Sequence, residues 1–379
     1  MKRYYLDHNA TAPIRPQVID IIAETMRHDG NSLSVHEEGR KAYKLVEDAR
    51  EQVRALVNAP VNGVIFTSGG TESIHYAVHG VVKPHNIKRI FISAVEHSAV
   101  GANAATTGAD VETIPVLPSG VVDLDWLKAR LKDYNTERDG GFFVCLMFAN
   151  NETGVLQPVR EATDITHDAG GLLFCDAAQA AGKVPVNFVM SGADMMSLTG
   201  HKFGGPVGIG ALIAGPNLPL EPQLRGGGHE QNRRAGTHNV AGIAGLGLAC
   251  ELAKQSLARA GEIVALRDRM QDAAVAAGAK VWGAGEKRLP GTLCLSAEGF
   301  SGATQLMIMD LAGIAISAGS ACSSGKTKPS HVLTAMGASE EEAISAIRVS
   351  LGWNSTEEDA AAFIREWPRA YERIKAKAA

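Results

Sequence analysis

Phe142-Phe143-Val144-Cys145-Leu146-Met147 and, further along, Leu172-Leu173-Phe174-Cys175 decide the fold. Both runs are apolar at every position, the pattern of strands buried on two faces rather than one. Between them, Val159 to His167 reads as a helix. A strand, a helix and a second strand form a βαβ unit, whose right-handed crossover makes the two strands parallel. Upstream the alternation repeats. Val64-Ile65-Phe66-Thr67 and Arg89-Ile90-Phe91-Ile92 read as strands, Val111 to Val116 as a weaker one, with helices near Val100 and from Trp126 to Leu131 between them. Downstream, Met195 to Leu198 and Gly208 to Ile213 close the sheet. The fold class predicted is α/β, a mostly parallel sheet with its ligand at the strand carboxyl ends.

Nearer the amino terminus, Pro16 opens one helical pattern and Tyr43 to Val57 fits another. After residue 240 the texture changes. Ala241 to Ala277 reads as one long connector helix. Short strands (Val281-Trp282, Thr292 to Ser296, Ile347 to Leu351) and helices (Ser301 to Leu311, Thr356 to Ala378) then suggest a smaller α+β domain. The expected organisation is an arm (1–14) packed on the small domain, a large α/β domain (15–240), and a connector with the small domain (241–379).

Composition excludes several functions. The chain has 379 residues, 45% hydrophobic and 21% charged, with 37 Lys plus Arg against 41 Asp plus Glu and a net charge of −4. No basic field exists to hold nucleic acid or an anionic membrane, so neither is expected as a partner. No apolar run approaches the ~20 residues of a membrane span, and Met1-Lys2-Arg3 precedes no apolar signal region. The five cysteines are widely spaced and form no CxxC pair, so reduced thiols and a cytoplasmic location are expected, without a zinc site.

Three clusters carry chemistry. Asp176, in Cys175-Asp176-Ala177-Ala178-Gln179, and Lys202, in Thr199-Gly200-His201-Lys202, both follow predicted strands. A carboxylate that holds a protonated pyridine nitrogen and an amine that forms an imine are the pair pyridoxal phosphate (PLP) needs. The second cluster, Ser68-Gly69-Gly70-Thr71-Glu72, exposes amides at a helix start, where a phosphate is favoured. The third, Ser317 to Lys326, surrounds Cys322 with small residues and leaves nothing bulky to bury its thiol; Lys326 and Lys328 are candidate sources of a cationic field. His97, Asn151, Thr237 and Arg348 are further candidates. A capping Asp, a surface Lys, an ordinary glycine turn and an inert loop Cys are the structural alternatives.

These segments, together with Tyr5 to Thr11, Asn150 to Gly154, Arg225 to Thr237 and Ile347 to Gly352, occur in an order that resembles the NifS/IscS-type cysteine desulfurases, fold-type I enzymes of the class V aminotransferase superfamily. The resemblance implies PLP as cofactor and L-cysteine as substrate. It makes Lys202 the Schiff-base lysine and carrier of the α-proton, Asp176 the ring-nitrogen partner, Gln179 the partner of the ring hydroxyl, and His97 the stacked imidazole and a second catalytic candidate for proton transfer. Gly70, Thr71, Thr199 and His201 fall where the family holds the phosphate. Thr237 falls where the family reaches the phosphate of a second subunit, which implies a homodimer. Asn151 and Arg348 correspond to substrate contacts, and Asn151 also to a cofactor contact. Cys322 corresponds to the nucleophile that takes the sulfur as a persulfide, leaves alanine, and passes the sulfur to an acceptor or scaffold protein for iron–sulfur cluster assembly or other sulfur traffic. No metal site is assigned; Cys322 is the one candidate for a transient cluster ligand. Two rival readings remain, another class V PLP enzyme (aminotransferase, selenocysteine lyase, cysteine β-lyase) and a non-catalytic assembly partner.

Overall fold

The computed structural model describes residues 2–318 and 329–378. In chain order the strands are β1 (Tyr4–Tyr5), β2 (Val64–Thr67), β3 (Ile87–Ser93), β4 (Asp110–Ile114), β5 (Gly141–Met147), β6 (Leu172–Asp176), β7 (Met195–Thr199), β8 (Gly210–Ala214), β9 (Lys280–Val281), β10 (Thr292–Ser296), β11 (Ile314–Ala315), β12 (Ser317–Ala318) and β13 (Ile347–Ser350). Seven of them form one sheet in the order β2-β8-β7-β6-β5-β3-β4. Six of these, β2, β3, β4, β5, β6 and β7, run in one direction, and β8 lies antiparallel between β7 and β2.

Residue alternation explains why this sheet is covered on both sides. Phe142, Val144 and Leu146 of β5 join one apolar cluster with Leu173, Cys175, Met196 and Leu198. Their neighbours Phe143 and Cys145 join a second with Ile90, Phe174 and Met195. Each fully buried side chain of this size stabilises the fold by about 1.5–3 kcal/mol, which outweighs any helical preference of the runs. A smaller antiparallel sheet has the order β12-β13-β10-β9. Its own core includes Leu293, Leu295, Ile347, Val349, Phe363 and Trp367. The arm joins it, because β1 pairs in parallel with β11 and Leu6 is fully buried in the same core.

Two helices differ from the sequence reading. The helix expected from Tyr43 begins at Glu37, because the His36 ring accepts the Gly39 N–H and Glu37 and Glu38 suit the positive helix end. The polar run Glu-Glu-Gly-Arg-Lys hides that start. The stretch read as one connector helix is two, Val240–Ser256 and Ala260–Ala276, separated by a 3₁₀ turn. Ser256 Oγ bonds back to the Leu252 carbonyl at 2.9 Å, a contact that bends helices. The first of the two packs Ile243, Leu246, Ala249 and Cys250 into the large core. Strands β1, β11 and β12 and the helices His331–Ala335 and Glu340–Ser345 went unread.

Glu230, Gln231 and Asn232 hold left-handed φ angles of 50°, 57° and 64° in succession. Such a conformation costs a non-glycine residue about 1–2 kcal/mol. The Glu230 carboxylate anchors the run. It accepts from Arg50 Nη1 at 2.8 Å and Nη2 at 3.1 Å, from the Phe66 N–H at 3.0 Å, and faces His238 Nε2 at 2.7 Å. Burial opposes ionisation of Glu230, but the bonds to His238 and Arg50 prevail and hold its pKa at about 2. A carboxylate depressed from 4.5 contributes stability that is complete above 4.5 and lost as pH falls through about 2. Glu230→Gln is therefore expected to lose about 3 kcal/mol at neutral pH and to flatten the acid limb of the stability profile. Urea unfolding across that pH range checks both.

Candidate active site

β2 lies antiparallel to β8, as β7 does, so the carboxyl ends of β2, β3, β5, β6 and β7 share one edge. A cavity of about 250 Å³ opens there. Asp176 enters it as the last residue of β6, and Thr199 as the last of β7. His201 and Lys202 follow in the 3₁₀ turn after β7, and Gln179 follows β6. Gly70 and Thr71 come from the helix start after β2, His97 from the segment after β3, and Asn151 from the segment after β5.

The acid and the amine have different settings. Asp176 is buried, and its Oδ1 accepts from Ser197 Oγ at 2.7 Å and the Ala178 N–H at 3.0 Å. Oδ2 has no hydrogen bond among the described residues and remains for a ligand. Lys202 Nζ donates to the main-chain carbonyls of Asn9 and Ala10 at 2.7 and 2.9 Å. Gln179 Nε2 donates to the same Asn9 carbonyl at 2.9 Å.

The helix Gly70–Gly80 carries no side-chain cap, and Gly69 before it has φ 147°, open to glycine but strained for other residues. A Cβ on Gly210 of β8 would stand 2.9 Å from Gly69 Cα, so that turn also needs a bare neighbour. The helix end is tied from the side. Arg234 makes a two-bond pair with Glu72 at 2.8 and 3.2 Å, and Glu72 Oε2 accepts the Ser68 N–H at 2.7 Å.

His97 is exposed at the mouth, and its Nδ1 accepts the Ala99 N–H at 3.2 Å, which leaves the proton of a neutral ring on Nε2. Desolvation lowers its pKa against the pull of Asp176, with Lys202 and His331 adding to the fall. His201 bonds Thr11 Oγ1 at 3.1 Å, and burial with the Lys202 and Lys183 charges pushes it down to about 4.

Arg348 of β13 does not line the cavity but stands beside Asn151, whose carbonyl accepts from Nη1 at 3.0 Å. Its Nη2 meets Asp7 Oδ1 at 2.9 Å and Ser317 Oγ at 3.1 Å, and its Nε is buried without a partner among the described residues. Thr237 is exposed and outside the cavity. Cys322, with Lys326 and Lys328, lies outside the described residues. Among the described residues no group of three or more His, Cys, Asp or Glu could hold a metal ion, and no helix is long and apolar enough to cross a membrane.

Sequence reasoning missed Asn9, Lys183 and Glu96 as parts of this site. Glu96 is buried next to Asp176; its Oε1 accepts the Met147 N–H at 2.6 Å and its Oε2 has no partner among the described residues. Burial, then Asp176, pushes its pKa well above 4.5.

A buried acid, an amine and an uncapped helix end around one cavity are groups that fit PLP, and the fold that carries them is that of the fold-type I PLP-dependent transferases. Residues 4–363 match the family Aminotransferase class-V. The IscS-like cysteine desulfurase of Mycobacterium tuberculosis is 37% identical over 98% of this chain and 97% of its own length. The cysteine desulfurase of Gluconacetobacter diazotrophicus is 39% identical over 95% of this chain and 91% of its own. The solved NifS-like protein from Rickettsia africae superposes with a TM-score of 0.89 at 33% identity, covering 98% of this chain and 100% of its own. The chain belongs to the class-V aminotransferases and, within them, to the NifS/IscS-type cysteine desulfurase family.

A carboxylic acid buried in its neutral form costs stability as pH rises above its unfolded value, because only the unfolded chain releases the proton. From 4.5 up to the raised folded value, Glu96 should therefore cost about 1.4 kcal/mol per pH unit. Glu96→Gln is expected to remove that slope, measured by urea unfolding at several pH values.

Proposed function

We propose that this chain is a PLP-dependent cysteine desulfurase that converts L-cysteine to L-alanine and keeps the sulfur as a persulfide on Cys322. The observation that supports it most is the shared cavity of Lys202 and Asp176 beside the uncapped helix end at Gly70. Bound PLP supplies an electron sink for negative charge at the substrate α-carbon.

The chain's own groups do the rest. Asp176 would hold a protonated ring nitrogen, and Gln179 would donate to the ring oxygen. The amides of Gly70 and Thr71, with Thr199 and His201, would hold the phosphate, and His97 would face the ring. Lys202 anchors the cofactor and moves the proton at the substrate α-carbon. Asn151, which lines the cavity, and Arg348 beside it hold the substrate carboxylate. The Cys322 thiolate bonds to the substrate sulfur as the carbon–sulfur bond breaks. The electron pair stays with carbon, which takes a proton and leaves as L-alanine.

Thr237 completes the phosphate site of a second copy in a homodimer. A cavity of about 570 Å³ beside it, walled by Met26, Leu45, His238 and Val240, and the exposed Met26 and Val35 agree with a covered face there. Sulfur then passes to an acceptor or scaffold protein, for iron–sulfur cluster assembly or other sulfur trafficking. A cytoplasmic setting and the division into arm (1–14), large (15–240) and small (241–379) domains belong to the same reading.

Incubation of the PLP-loaded protein with L-cysteine is expected to yield alanine rather than pyruvate, and borohydride to fix the cofactor on the Lys202 peptide. Lys202→Ala should lower alanine formation by about 10²–10⁴-fold. Cys322→Ser should abolish the protein-bound persulfide. Normal sulfur transfer by Cys322→Ser, or pyruvate as the product, overturns the proposal.

A further inference from the structure

Lys183 stands in the turn region after β6, where the sequence Ala181-Gly182-Lys183-Val184-Pro185 carries no signal for a site. Its amine nevertheless points inward. Nζ donates to Gln179 Oε1 at 2.8 Å and to Asn9 Oδ1 at 2.8 Å. The groups that bear on this amine are His8 and Asn9 of the arm, Gln179, the His201–Lys202 turn after β7, and Arg348 of β13. Burial, then the Lys202 and Arg348 charges, hold it well below the ordinary lysine range. Whether charged or neutral, an amine can donate N–H to a carbonyl oxygen.

The partners of Gln179 fix which way its amide faces. The Asn9 main-chain oxygen only accepts, so the end that meets it at 2.9 Å is the NH₂. Lys183 then meets the oxygen end. One amide hydrogen goes to Asn9, and the second remains for the cavity that Gln179 lines. Donation to the oxygen of an amide polarises it and strengthens what its N–H gives away.

We propose that Lys183 is a positioning residue for the cofactor: by donating to Gln179 Oε1 it commits and strengthens the Gln179 N–H as a donor to the ring oxygen anion. The inference rests on the reading above, in which Gln179 meets the ring oxygen of PLP. Without this donor the oxygen anion is less stabilised, and the bound cofactor holds its proton to higher pH.

The test is a pH titration of the visible absorption band of the PLP-loaded, full-length protein. Lys183→Met, which keeps length and removes the donor, is expected to move the midpoint up by about one pH unit, a tenfold change in proton affinity. Gln179→Leu alone should move it the same way, at least as far. Adding Lys183→Met to Gln179→Leu should move it no further, because the effect runs through Gln179. Circular dichroism checks folding. If the Met variant does not fold, Gln179→Leu and Lys183→Gln, which retains a donor and should stay near the wild-type midpoint, carry the test. An unchanged midpoint in Lys183→Met or Gln179→Leu, or an equal shift with and without Gln179, overturns the proposal. So does a Lys183→Gln midpoint displaced as far as that of Gln179→Leu. Borohydride labelling at Lys202 in the wild type reports separately on the cofactor reading, and its failure overturns both.

Discussion

The main-chain oxygen of Asn9 is the contact on which the site depends. It accepts from Lys202 Nζ and from Gln179 Nε2, at 2.7 and 2.9 Å. The same residue holds Lys183 through Oδ1, Thr292 of β10 through Nδ2 at 2.9 Å, and Ser350 of β13 through its N–H at 2.9 Å. One buried residue of the arm thus fastens the carboxyl edge of the large sheet to two strands of the small one. A carbonyl accepts N–H from an amine in either charge state, so Lys202 can be held without being fixed in its charged form. That suits an amine whose proposed work includes both bonding to an aldehyde and carrying a proton.

Charge around the cavity follows from burial. His8 is pushed down to about 3 by burial with the Lys183 charge, and His201 to about 4, so both imidazoles are neutral near pH 7. Glu96 goes the other way: burial, then Asp176, push its pKa up. Neither of these two imidazoles therefore adds positive charge at the cavity, where the open helix end supplies a partial one. An anionic ligand drawn into the cavity meets donors that already point at it, the arrangement that demands least reorganisation when charge develops.

How much could be read in the sequence depended on where the information lay. β5 and β6 were legible because Phe142, Phe143 and their neighbours are apolar on both faces and therefore unlike any surface strand. Asp176 and Lys202 were legible once those strands were placed, since topology sends their carboxyl ends to one edge. Strands β1, β11 and β12 have two residues each and owe their conformation to partners far along the chain, as Tyr4 opposite Ile314 does. Lys183 and Glu96 carry no spacing at all. A lysine in Ala-Gly-Lys-Val-Pro looks like a solvated turn residue until Asn9 and Gln179 are brought against it. The motif gives Arg348 as a substrate contact, and its partners Asn151, Asp7 and Ser317 carry no signal of their own in the sequence.

Anchoring a cofactor and moving an α-proton are needs common to all PLP chemistry on this scaffold, so Lys202, Asp176 and the helix end do not by themselves select sulfur transfer. A thiol must do that. Cys145, Cys175, Cys250 and Cys294 are buried, and burial raises all four above the usual thiol range. None of them lines the cavity. A raised pKa leaves almost no thiolate at neutral pH, and enclosure leaves no path for a departing sulfur. Of the five cysteines in the chain, only Cys322 stands in a sequence too small in its side chains to bury it. In the proposed function the choice between sulfur transfer and the other reactions of the family therefore rests on that residue, while the cavity supplies the chemistry they share.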